Sequence, residues 1–263
     1  MARDGIRNKT MASLDSVKQK IFRAAQHIKS LEAELEAYFK TNPGHLVREP
    51  HTSNDEAFFT FQTKGPIPAR FGLIIGDCLQ NLRSALDYLV WELVLAANNQ
   101  PSENNMFPIC STRDAFMNQV GKRKRLTGMH HDAIAQIDTL QPYRLGKDAE
   151  KSVLLVMDEL VNINKHRRVP IMTIGATDKL EPVIEKDGGY FLDSGGVNPV
   201  YDANAKFGTY PVIDGKVHMN TQIFAVITFG EGAAKGLEIT ICLNEWASYI
   251  LKQFVPMLER FFQ

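Results

Sequence analysis

The stretch from Ala69 to Asn98, ARFGLIIGDCLQNLRSALDYLVWELVLAAN, is the longest apolar-periodic segment of the chain and sets what the rest can fold around. Ile75, Cys78, Leu79, Leu82, Leu86, Leu89 and Leu93 recur at steps of three and four, the spacing of one stripe on an α-helix. The other side of the first half is polar, with Asp77, Gln80, Asn81, Arg83, Ser84 and Asp87. In the second half that side turns apolar through Tyr88, Trp91, Val94 and Leu95. A helix that is apolar all round needs cover on every side. The pattern therefore predicts a central helix whose C-terminal half is core and whose Asp77–Asp87 face looks onto a polar space or a partner.

Three other segments carry the same period. Leu14, Val17, Ile21, Ala24, Ala25, Ile28, Leu31, Leu35 and Phe39 form a stripe over residues 13–40, stopped by Pro43-Gly44. Val153, Val156, Met157, Leu160 and Ile163 form another over 149–168, with Asp148 as its expected N-cap. Trp246, Ile250, Phe254, Leu258 and Phe261 form the last, over 245–262, with Asn244 as cap and Pro256 as an expected kink. Shorter helices are expected from Arg113, capped by Ser111 or Thr112, and from Asp132.

Residues 45–68 contain AFFTF before Gly65-Pro66, which reads as a small β element. Residues 169–243 are rich in β-branched runs separated by Gly, Asn and Asp, and the last two expected strands are 222–229 and 236–243. The fold class that follows is α+β. It is a helical bundle around the central helix, with an antiparallel β region at 169–243 inserted before a C-terminal helix at 244–263. The expectation is a single domain over 1–263, its mainly helical half being 13–168.

At 263 residues the chain is long enough to bury a real core. Lysine plus arginine balance aspartate plus glutamate at 30 each, so global charge does not point to nucleic acid or an anionic membrane. Cys78, Cys110 and Cys242 are scattered, with no CxxC and no Cys/His cluster, which gives no metal site and suits a reducing compartment. The first residues lack an apolar leader, and the apolar run at Leu89–Ala97 is broken by Glu92 and too short to span a bilayer. A cytoplasmic location without membrane contact is expected. No GxGxxG, Walker, GxSxG, HExxH or EF-hand pattern is present, so no cofactor is implied.

Two polar sets sit on otherwise apolar helices. One is Asp77, Asn81, Arg83 and Asp87; the other is Asn162, Lys165, His166 and Arg167. Arg83 and Asp87 are four residues apart and can pair along the helix. Asp158, Asn162 and His166 fall at i, i+4 and i+8, on one face. If the two helices pack side by side, an acid, a cation and an imidazole meet. Arg83, Asp87 and His166 are then candidate catalytic groups, and Asp77, Asn81, Asn162, Lys165 and Arg167 candidate ligand contacts. The alternative is a buried network in which each charge is kept only because it is paired. Lys122-Arg123-Lys124-Arg125 is the dense basic run, read as a solvated loop. His130-His131 diverge on a helix and are read as surface residues; Gly188-Gly189 and Ser194-Gly195-Gly196 are read as turns.

The pair of motifs GDxxxNLRSALDY (Gly76–Tyr88) and NKHR (Asn164–Arg167) resembles a recurring pair in an uncharacterised family of bacterial proteins, which implies no known activity. That family's pattern has His where Tyr88 stands and Asp or Asn at Asn164. More remotely, Arg83 through Tyr88 is similar to the Arg-then-His spacing of HEPN-type helical domains, many of which are metal-independent ribonucleases. That resemblance implies RNA as substrate, with Tyr88 at the histidine position. A phenol, with an ordinary pKa of about 10, exchanges protons poorly near neutrality, so His166 would have to serve as base. Three functions are thus open: ligand or partner binding at the polar face, RNA cleavage, and self-association into a homo-oligomer through the N-terminal helix.

Overall fold

The computed structural model of the chain describes residues 11–49, 56–166, 172–177, 184–186, 189–191, 207–213, 216–217 and 224–263. They form a helix-rich α+β fold. Helix α1 spans Asp15–Lys40 and α2 spans Ala69–Ala96, with a hairpin of β1 (Gly44–Glu49) and β2 (Glu56–Thr63) between them. Short helices α3 (Arg113–Gly121) and α4 (His131–Thr139) follow, then a 3₁₀ stretch at Pro142–Lys151 and helix α5 (Val153–His166). Strands β3 (Met172–Thr177), β4 (Ile184–Lys186), β5 (Gly189–Phe191), β6 (Phe207–Ile213), β7 (Lys216–Val217) and β8 (Phe224–Phe229) precede α6 (Ile239–Tyr249) and α7 (Val255–Glu259).

Every described strand pair is antiparallel. β6 extends the β1–β2 hairpin and carries β7 on its far side, while β3 pairs with β8 and β4 with β5. The small β element at 45–68 is thereby tied to the strands that follow α5. Among the described residues no helix is long and apolar enough to cross a membrane.

Helix α2 lies at the centre of the core. Phe71, Ile75, Leu79, Leu82, Leu86, Leu89 and Val90 are sealed from solvent. The inner stripe of α1 packs along it, and α5 and α6 pack on other sides. Polar ties follow the α1–α2 seam: Glu92 accepts from the Ser13 backbone at 3.1 Å and from the Ser16 hydroxyl at 3.0 Å, and Arg70 pairs with Glu34. β8 closes the core from another side, where Phe229 stacks on Trp246 with ring centroids 5.8 Å apart.

Four local expectations change. Residues 236–243 do not form a strand: helix α6 begins at Ile239. Glu238 is its N-cap, accepting from the Ile241 backbone at 2.6 Å and from the Thr240 hydroxyl at 2.8 Å. The apolar run ITICL then supplies Ile239, Cys242 and Leu243 at helical rather than alternating spacing. Asn244 is not the cap; it lies inside the helix and donates to Glu32 at 3.0 Å. Helix α5 starts later than expected, because Gly146 takes a φ of 60° inside the preceding 3₁₀ stretch, and Asp148 pairs with Lys151 instead of capping. Finally, the expected kink at Pro256 takes the form of a widened π-helical turn, Ile250–Phe254, in which the Val255 N–H reaches back to the Ile250 carbonyl. Proline gives the turn before it no N–H to bond, which favours such an adjustment.

Helices α2 and α5 cross closely at Gly76. A Cβ at that position would lie 2.8 Å from the side-chain amide of Asn164, inside contact distance. The glycine is therefore a spacing device between the two helices that carry the polar sets. Gly76→Ala is expected to destabilise the protein by about 1–2 kcal/mol through overpacking. In an Asn164→Ala background the same change should instead stabilise by up to about 1 kcal/mol, the helix preference of alanine over glycine. Urea denaturation of the four proteins measures this coupling, and additivity would show that the two residues do not touch.

Candidate functional site

Arg83 leaves α2 toward α5 and the loop at 106–110. Its side chain is 11% exposed. Nη2 lies 3.2 Å from Asp87 Oδ1 and donates to the Phe107 carbonyl at 2.8 Å. Nε lies 3.4 Å from Asp158 Oδ1 on α5. The Phe107 N–H in turn donates to Asp87 Oδ1 at 2.9 Å. Arg83 and Asp87 therefore hold both polar groups of one peptide residue, while the Phe107 ring packs on Phe254 with centroids 5.6 Å apart. The remaining nitrogen, Nη1, is buried and has no hydrogen-bond partner among the described residues.

Burial pushes the Asp87 carboxyl above its ordinary range; Arg83, the Phe107 N–H and Lys165 pull it back, and Asp158 adds to the rise. The three thiols are buried and free. Burial raises Cys78 to about 12, and burial with the Asp158 charge raises Cys110 to about 11, so neither is a nucleophile near neutrality.

Helix α5 presents its own polar face on the far side of Asp158. The Asn162 amide donates to Asp158 Oδ2 at 3.3 Å. Asp158, Asn162 and His166 line one cavity of about 610 Å³ with Leu155, Glu159, Ile163, Glu231 and Gly232. The turn after β8 forms the opposite rim. Gly232 has a φ of +73°, and a Cβ there would sit 3.1 Å from the Glu159 carboxylate. Glu159 Oε2 accepts from the Ala233 backbone at 3.0 Å, which pins that turn to α5.

The sequence-predicted residues do not all converge. Arg83 and Asp87 meet Asp158, and Asn162 and His166 share the cavity with it. Lys165 is exposed, yet close enough for its charge to act on Asp87. Asp77 and Asn81 point to the α1 side. Asn81 donates to the Asp77 carbonyl at 2.8 Å, and the Asp77 charge acts on His27. Tyr88 is on that side too, with Lys20 Nζ 5.1 Å from its ring centre. Arg167 lies outside the described residues. Between His166 and Asp77 no hydrogen bond is present among the described residues.

The other motifs have structural places. His130 caps α4, its Nδ1 accepting from the Asp132 backbone at 3.3 Å. Lys122, Arg123 and Lys124 are exposed, and Arg125 donates to Gln119 and to the Asn104 carbonyl. Among the described residues no group of three His, Cys, Asp or Glu side chains is placed to hold a metal ion. Comparison with protein-family models, curated proteins and solved structures finds no match to this chain.

Sequence reasoning put Asp158 on the right face but not among the site residues. It left Glu231-Gly232 between two expected strands and did not single out Phe107. A signal for Asp158 was present in its i, i+4, i+8 relation to Asn162 and His166. Nothing local marks Glu231, which arrives from beyond β8.

Removing Arg83 leaves Asp87 and Asp158 facing each other without their shared cation. Arg83→Met is expected to cost about 3 kcal/mol, as for other broken buried pairs, measured by chemical denaturation. The raised Asp87 value gives a second outcome with a fixed sign. Between the unfolded and native pKa the folded protein holds more proton than the unfolded chain, so this contribution is full at low pH and is lost as pH rises through the native value. Stability of the wild type should therefore fall relative to Asp87→Asn as pH is raised from about 4 to about 7. A pH-independent difference would show that Asp87 titrates as it does in water.

Proposed function

We propose that this protein binds a small ligand in the cavity beside α5, with the Arg83–Asp87 clamp forming the rigid wall behind it. One observation carries this reading: Asp158 belongs to both structures. Its Oδ1 faces Arg83, its Oδ2 accepts from Asn162, and it lines the cavity with Asn162 and His166. A fixed back wall, a side-chain amide, an imidazole and two aliphatic side chains in one concave space are the usual components of a small-molecule site. Arg83 acts there as a positioning residue, since its Nε and Nη2 face two carboxylates and a carbonyl.

RNA cleavage, implied by the HEPN-type resemblance, gains nothing from this geometry, because Arg83 and Tyr88 face different sides of α2. Self-association through α1 is a second reading with one observation behind it. The inner stripe of α1 is used within the core, and Phe22, 65% exposed, is the large apolar side chain facing outward. A cytoplasmic setting fits either reading.

The test is a fragment screen followed by NMR on protein carrying ¹³C-labelled histidine. Fragments that move the His166 resonance are expected to lose binding in Ile163→Trp, which fills the cavity, while the rest of the spectrum is kept. Failure to find any such fragment removes the binding reading. RNA cleavage that is lost in both Arg83→Lys and His166→Ala, with the fold retained, would replace it by the nuclease. A monomeric mass in solution excludes the self-association.

A further inference from the structure

Lys122, Arg123, Lys124 and Arg125 form the turn that leaves α3 toward α4, and none of them lines the cavity beside α5. We infer that this turn binds the phosphodiester backbone of a nucleic acid strand, without reading its bases. A run of charge by itself is no more than a solvated loop. What sets this one apart is how firmly its backbone is tied. The Arg125 carbonyl accepts from the Met106 N–H at 3.3 Å and from the Asn105 side-chain amide at 3.2 Å. The same amide reaches the Thr127 carbonyl at 3.0 Å. The Arg125 N–H donates to the Gln119 carbonyl at 3.0 Å, and Lys124 turns the chain with a left-handed φ of 54°. A turn that is ordered in advance loses little backbone freedom when a partner arrives.

The fold leaves three of the four cations unused. Lys122, Arg123 and Lys124 are exposed, and among the described residues no ion pair involves them. Cations beyond a helix often serve its last carbonyls. Here the Asn118 carbonyl already accepts from the Lys122 and Arg123 N–H groups, and the Gln119 carbonyl from that of Arg125. Asp132, eight residues beyond Lys124, lies 3.8 Å from His130 and 3.7 Å from His131 instead. Arg125 is the structural member of the run, its guanidinium donating to Gln119 and to the Asn104 carbonyl.

The surroundings of the three cations select the kind of partner. Leu126 and Met129, the large apolar side chains of the turn, are buried. A folded protein partner needs an apolar centre to its contact, and a membrane surface is gripped by apolar side chains as well as by charge. A phosphate backbone needs only cations and hydrogen-bond donors. Arg123 can hold one phosphate through two parallel N–H bonds, with Lys122 and Lys124 as point charges on its neighbours. Lysine plus arginine equal aspartate plus glutamate over the whole chain, so the attraction is local and the binding weak.

Fluorescence anisotropy of the full chain with a short labelled RNA strand, and with the DNA strand of the same sequence, tests this. Both are expected to bind at low salt, with affinity falling at a log–log slope of about −2, roughly 0.7 for each neutralised phosphate. Replacing all three cations (Lys122→Gln, Arg123→Gln and Lys124→Gln) should abolish binding and leave the thermal melt unchanged. Arg123→Lys, which keeps the charge, should keep the salt slope. Binding of RNA alone assigns the source of the phosphates through the 2′-hydroxyl and supports the backbone contact. Strand binding that survives the triple replacement overturns the proposal, as does failure of both strands to bind at low salt. Equal capture of polyglutamate or of phosphatidylserine vesicles overturns it too, since the turn would then answer to any anionic surface.

Discussion

A guanidinium set into an apolar wall must have its charge answered nearby, and in this protein the answer comes from three separate parts of the chain. Arg83 faces Asp87 on its own helix, Asp158 on α5 and the backbone carbonyl of Phe107. Without the cation, two carboxylates would confront each other at the edge of the core. Without either carboxylate, a nearly buried positive charge would lose part of its compensation. The mutual dependence fixes the position of α5 on α2 more sharply than apolar packing alone, since leucine side chains tolerate sliding and a bifurcated ion pair does not. Gly76 is the other half of that arrangement, letting the helices approach far enough for the pair to form.

How much of this was legible in the sequence depends on the range of the interaction. The buried stripe of α2 and the inner stripe of α1 follow from spacing alone, because a helix that exposes such a stripe would not be stable in water. The Arg83–Asp87 pair is equally local, lying one turn apart. Asp77 and Asn81 belong to the same motif but face α1, and only the direction of each side chain around the helix separates them from Arg83. The expectation of one pooled polar set treated a span of ten residues as a single face, although the helix turns nearly three times over it.

Residues 236–243 show a different limit. A short, mostly apolar run that opens on a glycine suits a strand or a buried helix equally well. Glu238 decides between them by accepting the Ile241 N–H. The cavity was illegible for a third reason. Its far rim, Glu231 and Gly232, follows β8, dozens of residues after α5, and no periodicity links a turn to the helix it rests on. The contact appears only once Glu159 is seen to accept from Ala233.

The widened turn at Ile250–Phe254 has a consequence for how the chain's last segment keeps its grip on the core. Trp246, Ile250, Phe254 and Leu258 are spaced by four, and all are sealed from solvent. On a regular α-helix each such step overshoots a full revolution by about 40°, so four side chains would spiral off one side of the rod. One slack revolution takes up that surplus and brings the later members back into phase with the earlier ones. The proline, a breaker of regular helix, thus sits beside the irregularity that lets an every-fourth-residue pattern point one way.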